Sequence, residues 1–305
     1  MTDFRDNLYI DKDHPILRGP LFVGRKGGPK KKARYLASPD SEDAVTWSVF
    51  RTLLRIASCR WLSRFVEDAS GVAGTILDTE MTNMEIEYIK FWPHVPAPQS
   101  RLLWLLDHLD DPRISEKSKG ACADRARPEP KRRLPRIRRR FPFYREKART
   151  GCLVRGIGVL EGATELDALI EHPSFLVAVE AKYTADLHPF TTWDSERDQL
   201  GRVIDIAIEL SLQQRKPSFA VLVTDQRSHD SPLLYEKLAP LYQTDRGFLR
   251  EKLPHRTAEE LDRLAGVGWI TWREVLDGID QQGLSGCERQ LLCGLAAYLS
   301  VRRLY

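Results

Sequence analysis

Two short apolar runs, FLVAV (175–179) and FAVLV (219–223), limit the fold more than any other feature of this chain. Neither alternates with polar residues, as a strand with one wet face would, so each reads as a strand buried in a sheet. Between them, Leu200, Val203, Ile204, Ala207 and Leu210 recur at helical spacing within 195–213. Two buried strands joined by a helix are expected to be a parallel pair with a crossover connection. The chain is therefore expected to be α/β.

The remaining elements fit around that unit. CLVRGIGVL (152–160), ATELDALIE (163–171) and SFLVAVEAK (174–182) are separated by EG and HP turn signals and read as a three-strand antiparallel meander. EDAVTWSVFRTLLRIA (42–57) carries Val45, Val49, Leu53 and Ile56 on one helical face, with Ser38, Asp40 or Ser41 as its N-cap. Residues 60–114 contain further helical pieces such as SRLLWLLDHLDD, broken near Pro93-His94-Val95-Pro96. Helices are expected at 232–243, at 257–264 and from Cys287 to the end, and a strand at 267–272. Residues 1–38 read as irregular, because Gly27, Gly28 and Pro29 interrupt RKGGPKKKAR. The result is one domain over 39–305 with a basic insertion at about 115–150, and a mixed sheet.

Five cysteines, with no C-x-x-C pair, argue against a disulfide framework or a zinc ribbon. Cys293, beside Leu291, Leu292 and Leu295, reads as a small core residue. No apolar run reaches the roughly 18–20 residues of a membrane helix, and MTDFRDNLYIDKDHP lacks a signal pattern. A cytoplasmic protein is expected. Positive charge is gathered in two places: 12 Lys or Arg against 2 acids between Arg125 and Arg149, and 6 against none between Arg25 and Arg34. Since the net charge is only +4, the rest of the chain is acidic. Such segregation fits a polyanionic partner or a solvated loop. Lys131, Arg132, Arg133, Arg136, Arg138, Arg139 and Arg140 are the candidate nucleic-acid contacts; Phe141, Phe143 and Tyr144 beside them can stack on bases or, the expected role, anchor the arm. GRKGGPKKK is not a phosphate-binding G-x-x-x-x-G-K-[ST] loop.

The sharpest chemical signal lies where the first apolar run ends. Side chains alternate along a strand, so Glu180 and Lys182 share a face. In ATELDALIE, Glu165 and Asp167 share one face, while Leu166, Ala168 and Ile170 take the other. The turn at Glu171-His172-Pro173 pairs these strands, which brings Asp167 beside Glu180 with Lys182 next to them. Two clustered carboxylates raise each other's proton affinity, and a divalent cation compensates for them. Oxygen ligands suit Mg²⁺ or Mn²⁺. Lys182 is then placed to orient a metal-polarised water or to offset charge as it develops.

Asp167 followed by Glu180-Ala181-Lys182, approached through EGATELD, resembles the PD-(D/E)xK nuclease superfamily, the restriction-endonuclease-like fold. The core of that superfamily runs helix, three strands, helix, strand, as read above. The resemblance covers about 40–57 and 152–225. It implies a Mg²⁺-dependent endonuclease acting on DNA, with Asp167, Glu180 and Lys182 catalytic and Asp167 and Glu180 ligating the metal. It further implies Glu42, from the first core helix, as a metal ligand and Gln199 as a polar site residue. Val203 stands where RecB-like members carry Tyr. Glu165 is placed either to assist the site or to pair with a basic neighbour, His188 and Trp193 on the loop after the third strand are candidates to flank it, and His172 reads as structural. The other readings are a catalytically silent nucleic-acid-binding module and an adaptor whose basic arm meets an acidic protein. A homodimer or a partner protein is compatible with each.

Overall fold

The computed structural model describes residues 3–19, 31–70, 85–108, 161–191, 194–226 and 230–305, together with Asp111, Pro142 and Glu146. The expected strand at 152–160, Trp193, the anchoring aromatics and all seven candidate nucleic-acid contacts from Lys131 to Arg140 lie outside them.

The helices are α1 (Lys31–Leu36), α2 (Glu42–Leu53), α3 (Leu62–Ser70), α4 (Gln99–Asp107), α5 (Gln199–Gln214), α6 (Leu234–Thr244), α7 (Arg246–Lys252), α8 (Ala258–Leu261), α9 (Trp272–Asp277) and α10 (Gly286–Val301). The strands are β1 (Tyr88–Phe91), β2 (His94–Val95), β3 (Thr164–Glu165), β4 (Ala168–Glu171), β5 (Leu176–Ala181), β6 (Ser218–Thr224) and β7 (Leu264–Thr271). Five strands form a mixed sheet in the order β1-β4-β5-β6-β7. The β1/β4 and β4/β5 pairs are antiparallel, and β5/β6 and β6/β7 are parallel. The parallel β5/β6 pair with α5 as its crossover is the arrangement the two apolar runs demanded. Among the described residues, no helix is long and apolar enough to cross a membrane.

Strand alternation sends side chains to two separate cores. Ala168, Ile170, Val177, Val179, Phe219 and Val221 face one, which α2, α3 and α10 cover through residues such as Trp47, Phe50, Phe65 and Leu295. Leu169, Leu176, Ala178, Ala220 and Leu222 face the other, against Val203, Ile204 and Ala207 of α5 and Tyr235 of α6. At Gly268 the sheet and α3 touch so closely that an added Cβ would stand 2.6 Å from the Ala69 Cβ.

Four expectations are corrected. The place alongside β4 that the meander assigned to 152–160 is filled by Tyr88–Phe91, from a stretch read as helical. ATELDALIE is not one continuous strand: β3 pairs with β2, and β4 with β1. Its break matches a bend in the partner, where Trp92 has φ +52 and Pro93 follows. The Trp92 amide donates to the Asp167 carbonyl and the Leu166 amide to the Pro93 carbonyl, so both chains turn together. Leu166 therefore joins Leu169 in the second core rather than Ala168 and Ile170. A short helix, α1, does form at the end of RKGGPKKKAR, because Ala33 and Leu36 bury themselves in the first core. Finally, Cys293 is exposed. The buried residues of α10 are Leu295 and Leu299, and a position two before Leu295 points well away from that face, at about 100° per residue.

Candidate metal centre

The site forms at the end of the sheet where β5 runs out, and three layers contribute to it. Of the three suggested N-caps of α2, Ser41 takes the role: its Oγ accepts from the Ala44 amide at 3.1 Å. That cap fixes Glu42 and Asp43 in the first turn, where the helix dipole favours acids. From the opposite layer, Asp198 caps α5 by accepting from the Gly201 amide at 2.8 Å. Gln199 is therefore the first residue of α5, at the same end of the sheet. Between the two helices, the register Ala168↔Val179 sets Asp167 next to Glu180.

One ligand oxygen from each of Glu42, Asp167 and Glu180 lies within 4.8 Å of the other two. The Asp167 Oδ2 accepts from the Ala181 amide at 2.8 Å, which locks its rotamer. The Lys182 Nζ donates to Glu180 Oε1 at 2.7 Å, to Glu42 Oε1 at 3.2 Å and to the Ala181 carbonyl at 2.9 Å. The Tyr183 amide donates to the second oxygen of Glu42 at 3.2 Å. The Gln199 Nε2 donates to Glu180, while its Oε1 accepts from the His188 amide at 3.1 Å. These residues open into a cleft of about 440 Å³, also lined by Lys32, Tyr35 and Glu165.

Asp167, Glu180 and Lys182 thus converge as the strand period indicated, and Glu42 and Gln199 join them as the resemblance implied. Glu165 stands at the rim, bound to Lys32 and His94. His188 contributes its main chain to Gln199 rather than its imidazole. His172 is structural: it is buried against Phe175 and accepts from the Ser174 amide through Nδ1. Lys32 and the Tyr183 amide were not anticipated. An amide has no sequence signal, and Lys32 was one of six like charges in its window.

Burial and the neighbouring carboxylates raise proton affinity at the centre. Glu42 is pushed up to about 7, first by burial and then by Glu180, against the pull of Lys182. Asp167 is raised well above the usual carboxylate range by burial, Glu180 and Glu42. Burial alone would lower Lys182, but Glu180, Glu42 and Asp167 outweigh it and hold the ammonium charged. Three acids against one ammonium leave an excess of negative charge that water reaches poorly. That donor set, all oxygen and short of compensation, fits a hard divalent cation such as Mg²⁺ or Mn²⁺.

No protein family, curated protein or solved structure matches this chain.

Proposed function

We propose that the protein is a metal-dependent nuclease that hydrolyses phosphodiester bonds in DNA, on a restriction-endonuclease-like core. The observation that carries the proposal is the convergence of Glu42, Asp167 and Glu180 within 4.8 Å at the mouth of β5, with the charged Lys182 bonded between two of them. A bound Mg²⁺ or Mn²⁺ would supply a polarised water and neutralise phosphate charge.

The chain's own groups do the rest. Lys182, held protonated, has no lone pair with which to accept a proton. Its part is to donate to a water or phosphate oxygen and to stabilise charge that builds there. Gln199 and the Tyr183 amide fix Glu180 and Glu42, so that the acids need little rearrangement on meeting substrate. The basic window around Lys131–Arg140 supplies backbone attraction in this reading, since the acidic cleft repels an approaching polyanion.

The test is a cleavage panel of plasmid, linear duplex, single-stranded DNA and RNA with Mg²⁺ or Mn²⁺. DNA cleavage that stops in EDTA is expected. Glu180→Ala and Lys182→Met should each lower it by about 10²–10³ or more while leaving DNA binding in place. Wild-type protein that cuts none of these substrates with either ion refutes the proposal.

A further inference from the structure

Beside the three-acid centre lies a second carboxylate pair, built from α2 and from β3, the short strand just before Asp167. Asp43 follows Glu42 on α2, and Glu165 precedes Asp167 by two residues. Between them sits an ammonium supplied by the chain itself. The Lys32 Nζ donates to Asp43 Oδ1 at 2.6 Å and to Glu165 Oε1 at 2.7 Å. It also stands 4.6 Å from the centroid of the Trp92 ring. The Lys32 side chain is only 12% exposed and Asp43 only 13%. His94 Nε2 lies 2.9 Å from the other oxygen of Glu165.

The seat is preorganised. Trp92 holds a left-handed backbone at φ +52, which a bulky residue rarely adopts. Its indole stacks on Trp47, centroids 5.7 Å apart and planes 8° from parallel. Its amide is tied to Asp167, a ligand of the neighbouring centre. Two carboxylates and an aromatic face make a strong ammonium site. α1 delivers Lys32 to it by burying Ala33 and Leu36 one and four residues on. Lys32, Asp43 and Glu165 all line the same cleft as Glu42, Asp167 and Glu180.

We infer that Lys32 occupies a second cation position in the cleft and so limits the protein to one divalent ion. The inference rests on the proposed metal centre. Within the two clusters five carboxylates face two ammoniums, an excess of three negative charges when all are ionised; Asp40 also lines the cleft, but as an exposed, water-screened acid. One divalent ion nearly cancels that excess. Without Lys32, Asp43 and Glu165 would keep only the His94 imidazole, which contacts Glu165 alone, and a second ion between the two acids would be favoured.

Counting bound Mn²⁺ by electron paramagnetic resonance of the free ion tests this without reference to activity. Wild-type protein is expected to bind one ion and Lys32→Met two. Lys32→Met combined with Glu165→Gln is expected to return to one, which places the second ion at that pair. Lys32→Gln, which keeps a hydrogen-bonding head between the acids, provides a second folded variant for the same count. Two ions on wild-type protein, or a single ion on folded Lys32 variants, overturns the inference and leaves the metal centre standing. No ion on wild-type protein removes both.

Discussion

At neutral pH, Glu42 stands close to half protonated, because burial and Glu180 lift it to about 7 from an ordinary value of 4.5. Between those values the folded protein holds a proton that the unfolded chain releases. The Glu42 contribution to stability is therefore present below about 4.5 and is lost as pH rises through about 7. His255, whose proton affinity is lowered by burial, acts in the opposite direction below about 6.5, so the comparison with Glu42→Gln removes its contribution and reports Glu42 together with the part of the Asp167 titration that Glu42 raises. In EDTA, the Tm advantage of Glu42→Gln over wild type should grow from pH 5 to pH 8. A divalent ion at the proposed centre would have to displace that proton, so Mn²⁺ affinity there should tighten by up to about tenfold per pH unit below 7. A pH-independent Tm difference would mean that Glu42 titrates as an ordinary surface acid. Individual site residues were legible in the sequence to different depths. Asp167, Glu180 and Lys182 follow from a two-residue period and a turn. Glu42 and Gln199 came from resemblance alone, since a first-turn acid and a helix-end glutamine have ordinary structural uses. Trp92 was hidden, because its left-handed backbone depends on the bend of its partner chain.

Among the elements, α5 carries the heaviest buried charge. Asp205 is fully buried and accepts from Arg197 Nη2 at 2.7 Å and from Arg256 Nε at 2.6 Å, with His255 Nε2 at 3.0 Å. Burial alone would raise its proton affinity, but His255, Arg197 and Arg256 hold it well below the usual range. Arg197 continues the network to Glu161, which also binds the fully buried Arg101 of α4. The network thus ties α5 to the segment leading into Asp167 and to the loop before α8. Asp205→Ala would leave two buried guanidinium groups without their shared acceptor, at a cost of about 3–5 kcal/mol. Urea unfolding should show that loss; a change under 1 kcal/mol would show that the arginines find other partners. The spacing of Leu200, Val203, Ile204 and Ala207 located α5 but said nothing of Asp205. Its neighbours Ile204 and Ile206 are both buried, so this helix is covered on more than one side and one apolar stripe described only part of it. β1 was missed for a different reason. EYIKF alternates as a strand should, but the strongly helical pattern of 100–111 nearby set the reading for the whole stretch.

On the scale of the whole molecule, charge is arranged in opposition. The described cleft gathers Asp40, Glu42, Asp43, Glu165, Asp167 and Glu180 against Lys32 and Lys182, whereas, Lys32 apart, the basic residues of the windows 25–34 and 125–149 lie outside that lining. A polyanion drawn to this protein must be held by charges outside the acid cluster, and only then brought to it. Binding and cleavage should therefore separate. With Glu180→Ala used to keep DNA intact, about six phosphate contacts predict a log–log slope of affinity on salt near about −5. Replacing Lys131, Arg132, Arg133, Arg136, Arg138, Arg139 and Arg140 together by Gln should flatten that slope towards zero and weaken binding at low salt, with the Tm unchanged. Acid-to-amide substitutions in the cleft should instead leave the slope near its starting value and, by removing repulsion, tighten binding slightly. If the seven-residue variant keeps both the affinity and the slope, these arginines are a solvated surface and DNA approaches by another route.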